Sequence, residues 1–226
     1  MTPLRVSVKL LNPIAGDELP RLDALVLGEV IEMTNAPQIV RVGRDTPCPP
    51  AFEFPVPIEV AEINGHRIAR CSSPIGMTPK WEGIEYIHKR FAADAVDLLH
   101  PDCLGVVQTK RGYFKGERLP LRSRLIPEIA WFCVGDAETL QAILGRVKTI
   151  GKKRAHGNAV VESWCVEPVE HDQSWFAESP WGSVLMRELP HGPSLPANLC
   201  GHRLDFGACA PPYWHRARYI QRVSPV

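Results

Sequence analysis

Residues 151–159, which read Gly-Lys-Lys-Arg-Ala-His-Gly-Asn-Ala, combine glycines, cations and a histidine in a pattern that suits phosphate binding. Glycine lets a backbone approach its ligand closely, and clustered lysine and arginine side chains neutralise phosphates. We therefore interpret this glycine-rich loop as a site that follows the backbone of a nucleic acid. The residues assigned to it are Lys148, Gly151, Lys152, Lys153, Arg154, His156, Gly157 and Asn158.

Two other interpretations use the same loop. In the first, the loop binds no ligand: Gly151 ends a helix, and the cations after it complement the negative end of the helix dipole. In the second, His156 is a general acid or base in RNA cleavage, with Lys153 or Tyr113 nearby. A Walker-type nucleotide site is disfavoured, because Gly-x-x-x-x-Gly-Lys-Ser/Thr is absent and the loop follows a helix instead of preceding one.

A second basic segment, residues 104–126, is predicted to form a β-hairpin. Two β-prone arms flank residues 112–116, and the aromatic residues Tyr113 and Phe114 stand at the tip. Aromatic rings between cations can bind single-stranded RNA, because the rings stack on bases while the cations neutralise phosphates. The alternative is a solvated hairpin without a ligand. The RNA-binding candidates are Lys110, Arg111, Tyr113, Phe114, Lys115, Arg118, Arg122 and Arg124.

Local patterns predict the elements that position the loop. Trp131–Val134 is a short β-prone run, and Asp136 is a plausible N-cap for the helix that follows. The apolar positions of that helix are Leu140, Ile143, Leu144, Val147 and Ile150. Gly151 would end the helix, and a strand would begin near Ala159. The predicted order is strand, helix, glycine-rich loop and strand.

Other elements are predicted along the rest of the chain. Leu4–Leu11 alternates as a half-buried strand and Leu22–Met33 follows as a helix, an order that opens a ferredoxin-like βαββαβ unit. Asn64-Gly65 is a strong hairpin signal. Residues 81–100 are predicted to be partly helical. Residues 213–219 mix aromatic and basic side chains, and are either a terminal strand with an exposed polar face or a third RNA-contacting surface.

The positive charges of the chain are concentrated in two short segments, although its net charge is close to zero. The net charge of the 226-residue chain is +1, and its 45% apolar and 23% charged content is typical of a globular protein. Residues 108–124 hold six lysines and arginines and residues 146–154 hold five, so eleven of the 26 lie in two short segments. A local basic footprint on a near-neutral protein indicates a groove for a polyanion.

The cysteine pattern and the apolar runs of the chain bear on its thiols, on metal binding and on membrane contact. The seven cysteines form no Cys-x-x-Cys pair, which predicts reduced thiols. No signal peptide or membrane-length apolar run is visible, so we expect a cytoplasmic protein without membrane contact. A zinc site could be drawn, but its spacing is atypical: Cys200, His202, Cys209 and His215. We predict no metal, no cofactor and no catalytic residue.

The glycine-rich loop, between an amphipathic helix and a strand, resembles that of the RAMP superfamily of CRISPR-associated RNA-binding proteins. Within this superfamily the chain is most similar to the Cas-Five-like subunit of type IV effector complexes. Further matches lie in the same order along the chain, at Leu22–Val26, Val134–Asp136, Met186–Pro190 and Pro211–Trp214. The family loop usually ends Gly-x-Gly, and here Ala159 replaces the last glycine.

The resemblance implies an α+β fold. A ferredoxin-like (RRM-like) RAMP domain would span residues 1–170, with the residue 104–126 hairpin as a thumb and the glycine-rich loop, and residues 171–226 would be a C-terminal extension packed on the same domain. The implied function is to cap the 5′ repeat-derived handle of the guide RNA and to nucleate assembly of the backbone of a type IV ribonucleoprotein complex.

The implied partners are the guide RNA, the helical backbone subunit, the large subunit and, within the complex, target DNA. Some relatives in the superfamily instead cut precursor guide RNA. An endoribonuclease with His156 at its centre therefore stays open as the alternative function.

Overall fold

The computed structural model describes residues 1–34, 48, 52, 54–89, 110, 115–152 and 154–226. Within these residues strands dominate and two α-helices are present, so the predicted α+β class is confirmed. The helices are α1 (Leu22–Met33) and α2 (Ala137–Leu144). The strands are β1 (Thr2–Leu10), β2 (Ile14–Ala15), β3 (Val60–Ile63), β4 (His66–Ala69), β5 (Ile75–Gly76), β6 (Trp81–Lys89), β7 (Glu117–Leu125), β8 (Glu128–Gly135), β9 (Val161–Pro168), β10 (Phe176–Ser179), β11 (Gly182–Leu185), β12 (Leu189–Pro190), β13 (Leu199–Cys200), β14 (His202–Ala208) and β15 (Tyr219–Pro225).

A four-stranded sheet with the order β5-β8-β1-β9 forms the centre of the fold, and every neighbouring pair in it is antiparallel. Strand β1 carries alternating side chains of which Leu4, Val6 and Val8 are fully buried. The chain passes from β1 into α1 through β2, and α2 leads from β8 towards β9. Because the apolar faces of both helices belong to the same hydrophobic core as β1, the sheet and helices form one packed unit.

Two predictions from local signals are confirmed. Helix α1 spans Leu22–Met33, the residues predicted from its apolar spacing. Asn64 and Gly65 connect β3 to β4 with φ values of +49° and +76°. Positive φ at both central residues is what a two-residue turn of type I′ requires, and asparagine and glycine tolerate it best.

Helix α2 ends earlier than its apolar spacing predicts. Asp136 caps its start as predicted, because the Asp136 side chain accepts a hydrogen bond of 2.7 Å from a first-turn N–H. The helix ends at Leu144, so the prediction that it continues to Gly151 is wrong. Val147 and Ile150 are nevertheless buried. Apolar spacing reports burial, and here an irregular segment buries the same side chains that a longer helix would have buried.

Strand β7 contains most of the second arm that was predicted for the basic hairpin. Strand β7 pairs along its whole length with β6, so the prediction that the chain from Trp81 is partly helical is wrong for Trp81–Lys89. The arm predicted from residue 104 lies outside the described residues. Most β6 side chains that the structure describes are exposed, including the large apolar Ile84 and Tyr86. The β6–β7 ribbon therefore projects from the core.

Two further three-stranded sheets follow β9, with the orders β10-β11-β13 and β12-β15-β14. Leu185, Leu189 and Val223 from this part are buried in the same core as β1. The terminal strand begins at Tyr219, and the residues before it include a 3-10 turn at Arg216–Arg218.

Candidate nucleic-acid interface

The glycine-rich loop is tied to the turn that follows β1. The Ala159 N–H donates a hydrogen bond of 3.0 Å to the Pro13 carbonyl. The Asn12 side chain donates to the Gly157 carbonyl and accepts a hydrogen bond of 2.7 Å from the Val160 N–H. Because these bonds hold its C-terminal half, the loop has a defined backbone path before any ligand binds.

Three residues of the loop adopt left-handed backbone conformations. The φ values are +75° at Gly151, +79° at Gly157 and +49° at Ala159. A Cβ atom on Gly151 would lie 3.1 Å from the Ile14 side chain. Ala159, which replaces the last glycine of the family pattern, still has the conformation that glycine favours, and its side chain is fully buried.

Replacing Gly151 with alanine is expected to lower the free energy of unfolding by about 1–2 kcal/mol, because a side chain is strained at positive φ and would also crowd Ile14. Gly157→Ala is the control, since a Cβ there meets nothing within 4 Å and only backbone strain remains. Urea unfolding of the variants and the wild type measures both effects. A Gly151→Ala protein as stable as the wild type would contradict the described loop.

The loop presents its cations to solvent. Its exposed residues in the described structure are Lys152, Arg154, His156 and Gly157, with Asn158 half-buried. Lys153 lies outside the described residues. Lys148 lies four residues after the end of α2, and its ammonium donates a hydrogen bond of 2.6 Å to the Gly145 carbonyl. Because α2 ends well before residues 152–154, the helix dipole does not account for the cations there.

A groove of about 420 Å³ lies between α1 and the segment after α2. Its lining residues are Pro20, Arg21, Ala24, Leu25, Gly28, Glu29, Glu32, Arg146, Val147, Lys148, Thr149, Gly151 and Arg154. Arg146, which the sequence analysis did not assign to the site, is engaged by Glu29 at 2.6 Å. Arg154 makes no ion pair with any described residue. Lys148 and Arg154 are thus the lining cations that have no carboxylate partner among the described residues, while Glu32 adds an acidic side chain to the same lining.

Strand β2 joins the loop to the hairpin. Ala15 pairs with Ser123 of β7 on one side and with Lys152 on the other. Neighbouring strands lie about 4.8 Å apart, so the backbones of Ser123 and Lys152 are roughly 10 Å apart. The Lys152 side chain also packs over Gly16, where an added Cβ would lie 3.1 Å from it. The two basic segments of the sequence thus meet across one short strand.

The described hairpin cations are not equally available. Arg122 is paired with Glu82 at 3.1 Å and with Asp17 at 3.5 Å. The Arg124 guanidinium donates to the carbonyls that follow β2. Arg118 lies over the ring of Tyr86, 3.7 Å from its centroid, in a cation–π contact.

The other predicted hairpin residues divide into two groups. Lys110 and Lys115 are exposed. Arg111, Tyr113 and Phe114 lie outside the described residues. Tyr86 is an exposed aromatic residue beside the cations that the sequence analysis missed, because its segment was predicted to be partly helical.

A buried polar network lies at the N-terminus of α1, and the sequence analysis did not predict it. Arg187 is 1% exposed and donates a hydrogen bond of 2.7 Å to Asp23 and one of 2.6 Å to the Tyr213 hydroxyl. The Tyr213 hydroxyl in turn donates to Asp23. Arg187 also donates to the carbonyl oxygens of Cys71 and Cys209. The network ties α1 to the C-terminal part of the chain.

The three residues at the centre of this network come from segments that carried the family resemblance. Asp23 lies in Leu22–Val26, Arg187 in Met186–Pro190 and Tyr213 in Pro211–Trp214. Their shared role in this structure is internal: they fix the position of α1, one wall of the groove beside the glycine-rich loop. A single buried arginine has no local sequence pattern, which is why only the structure reveals the connection.

Glu188, next to this network, has a lowered pKa. Burial works to raise the pKa of Glu188, but the charge of Arg21 and the hydrogen bonds from Arg21 and Ser73 together outweigh it. The two hydrogen bonds from Arg21 are 2.7 Å long and the one from Ser73 is 2.9 Å long. A carboxylate whose pKa is lowered by folding contributes stability above its unfolded pKa of about 4.3. That contribution is lost as the pH falls through the folded-state value.

Glu188→Gln is therefore expected to flatten the loss of stability in acid, because the amide has no charge to lose. Urea unfolding of the variant and the wild type from about pH 7 down to about pH 3 measures the free energy of unfolding at each pH. The difference between the two curves should begin to shrink below about pH 4.3 and disappear below the lowered folded-state pKa of Glu188. Parallel curves over the whole range would contradict this assignment.

The described residues contain neither a cluster of metal ligands nor a membrane-spanning helix. Within the described residues, no group of three or more His, Cys, Asp or Glu side chains is arranged to hold a metal ion. No helix in the part of the chain that the structure describes is long and apolar enough to cross a membrane.

The fold and the site define a strand-rich α+β protein in which β2 joins a loop and a hairpin that both carry exposed cations. Residues 86–225, more than half of the chain, match the family described as CRISPR type IV associated protein Csf3. The chain belongs to this family, which confirms the resemblance to type IV CRISPR-associated, Cas-Five-like proteins. Membership implies a subunit of a type IV CRISPR complex. A search of the curated proteins found no match.

Proposed function

We propose that the chain is the guide-RNA-binding subunit of its type IV CRISPR ribonucleoprotein complex, where it caps the 5′ repeat-derived handle and nucleates assembly of the backbone. The observation that carries this proposal is the junction at β2, where Ala15 pairs with both β7 and Lys152. An RNA strand that crosses this junction meets the glycine-rich loop and the basic hairpin in succession. The proposed partners of the protein are the helical backbone subunit, the large subunit and, after assembly, target DNA.

The strand order supports the finer assignment to a ferredoxin-like RAMP domain. In a βαββαβ unit of this type the strands lie in the order 4-1-3-2, and neighbours are antiparallel. The order β9-β1-β8-β5, with α1 after β1 and α2 between β8 and β9, follows the same scheme. On this view the β6–β7 ribbon is inserted between the second and third strands of the unit and acts as the thumb.

The mechanism is recognition of the RNA backbone together with stacking. Phosphates would lie against Lys148, Lys152 and Arg154, which are exposed and free of carboxylate partners among the described residues. Contacts of this kind fix the register of the strand without reading its sequence. Tyr113 and Phe114 at the predicted hairpin tip would stack on splayed bases, as single-stranded RNA allows.

The second candidate function is an endoribonuclease, and the exposure of His156 favours it. His156 lies in the same 3-10 turn as Arg154, so an imidazole and a guanidinium face solvent within one turn. Cleavage would need His156 to exchange a proton with the RNA while a cation stabilises the developing charge. We propose binding without cleavage, because no described side chain hydrogen-bonds to His156 to orient it.

Labelled repeat RNA incubated with the purified protein in EDTA separates the two functions. Wild type and His156→Ala are compared on native and denaturing gels. A shifted but uncut band in both samples is the expected result. A discrete cut that disappears in His156→Ala would overturn the binding-only proposal and make the glycine-rich loop an active site.

A further inference from the structure

A second surface with exposed aromatic side chains lies on the C-terminal hairpin. A cleft of about 410 Å³ is lined by Trp214, His215, Arg216 and Tyr219. Trp214 is 55% exposed and Tyr219 is 52% exposed. Clefts that hold a small ligand or a single chemical group are commonly about 300–1,000 Å³ in volume. Large rings left this open are candidates for contact with a partner.

The local fold sets the positions of these side chains. The His215 imidazole accepts a hydrogen bond of 3.2 Å from the Ala217 N–H and so caps the 3-10 turn Arg216–Arg218. Tyr219 then begins β15 and pairs with Ala208 of β14. Since His215 is buried, it anchors the cleft, while Trp214 and Arg216 beside it reach solvent.

The aromatic surface extends along the sheet. Phe206 pairs with Gln221, two residues along β15 from Tyr219, so Phe206 and Tyr219 project from the same face. Phe206 is 73% exposed. The distance between diagonal neighbours on one face of a sheet is about 7–8 Å, which suits rings that contact successive groups of one extended ligand.

The charge around these rings is positive. Residues 199–226 contain four arginines and one acidic side chain, Asp205. Arg222 engages that carboxylate at 2.6 Å. Two of the other arginines, Arg203 and Arg216, are exposed. An apolar surface for a protein partner needs no such excess of cations, whereas a strand of bases and phosphates is complementary to rings flanked by arginine.

We propose that this C-terminal cleft is a second binding site for single-stranded nucleic acid, in which a base stacks on Trp214 or Tyr219 and Arg216 contacts a phosphate. The site is distinct from the glycine-rich loop and does not depend on the function proposed for it. Guide RNA and a single strand of DNA share this chemistry. The backbone sugar of the preferred oligonucleotide distinguishes them.

The test is photo-crosslinking of the full chain to short oligonucleotides that contain 5-iodouracil, one with ribose and one with deoxyribose. The crosslinked residues are mapped by mass spectrometry. The experiment is repeated in a Lys152→Glu/Arg154→Glu background, where binding at the loop is weakened. We expect crosslinks to Trp214 or Tyr219 in both proteins. A stronger crosslink to the ribose oligonucleotide identifies RNA as the ligand, and a stronger crosslink to the deoxyribose oligonucleotide identifies DNA.

Affinity measurements add a readout that separates stacking from charge. In the loop-variant background, Trp214→Ala/Tyr219→Ala is expected to weaken binding about tenfold or more with no change in its salt dependence. Arg216→Ala should lower the slope of log affinity against log salt by about 0.7. The control is Trp181→Ala, an 85% exposed tryptophan in the turn between β10 and β11, which should change neither quantity.

Each outcome decides between the two sites. Crosslinks confined to residues 151–159 would overturn the C-terminal site and leave the proposed function standing. Crosslinks confined to the C-terminal cleft would support this inference and contradict the loop. Unchanged oligonucleotide affinity in Trp214→Ala/Tyr219→Ala, together with lost co-purification of the other complex subunits, would overturn the site in favour of a protein interface.

Discussion

Reversing two charges in the glycine-rich loop, with Lys152→Glu/Arg154→Glu, is expected to weaken binding of the repeat RNA by about 100-fold at about 0.15 M salt. Each lost phosphate contact removes about 0.7 from the salt slope on a single strand, and each new carboxylate adds repulsion. Both side chains are exposed and make no ion pair with any described residue, so the substitutions break no internal salt bridge. Fluorescence anisotropy over a series of salt concentrations measures the affinity and its slope.

The matched control for this variant is Lys9→Glu/Arg67→Glu. Lys9 on β1 and Arg67 on β4 are exposed, and reversing both changes the net charge by the same amount. This control should retain most of the affinity and nearly the full salt slope. If the loop variant kept its affinity and slope, or if the control lost as much, the glycine-rich loop would not be the phosphate-binding site.

Replacing Arg187 with alanine is expected to lower the free energy of unfolding by about 3–5 kcal/mol. The substitution leaves the Asp23 carboxylate buried without its ion pair, and removal of one partner from a buried pair has this cost. It also leaves the carbonyl oxygens of Cys71 and Cys209 without their donor. Because a domain of this kind is stable by only about 5–15 kcal/mol, the loss should be plain in urea unfolding.

The double variant Asp23→Leu/Arg187→Met tests the reason for that loss. Replacing a whole buried ion pair with apolar side chains of similar volume is often neutral, so the double variant should recover much of the lost stability. Arg146→Ala is the control for an exposed pair, since Arg146 is 58% exposed where it meets Glu29, and it should change stability little. A double variant no more stable than Arg187→Ala would contradict this explanation.

The elements predicted correctly have causes that are local in sequence. The Asn64-Gly65 turn and the Asp136 cap each depend on the conformational or hydrogen-bonding preference of one or two residues. The prediction for Trp81–Lys89 was wrong because β7, the partner of β6, begins 28 residues after β6 ends. The pairing that makes these residues a strand is therefore not visible in the local sequence. Helix α2 was predicted too long because buried residues after its end keep a helical spacing.

Some features of the candidate site could likewise be predicted from the local sequence, and others could not. The loop cations are recognisable from their spacing, and the structure leaves Lys152 and Arg154 exposed. The contact between loop and hairpin could not be predicted, because it depends on Ala15, a residue without chemistry of its own that pairs on both sides. The engagement of Arg122 by Asp17 and Glu82 was equally hidden, since charge counts do not show which cations are already paired.

The most direct test of the proposed function is to purify the chain, with its complex, from cells that express a CRISPR array and to sequence the 5′ ends of the RNA that remains bound. The predicted result is a short RNA population with one uniform, repeat-derived 5′ end, which is lost from the chain carrying Lys152→Glu/Arg154→Glu and kept by Lys9→Glu/Arg67→Glu. RNA with random 5′ ends, or no bound RNA in the wild type, would contradict the assignment of this chain as the handle-binding subunit.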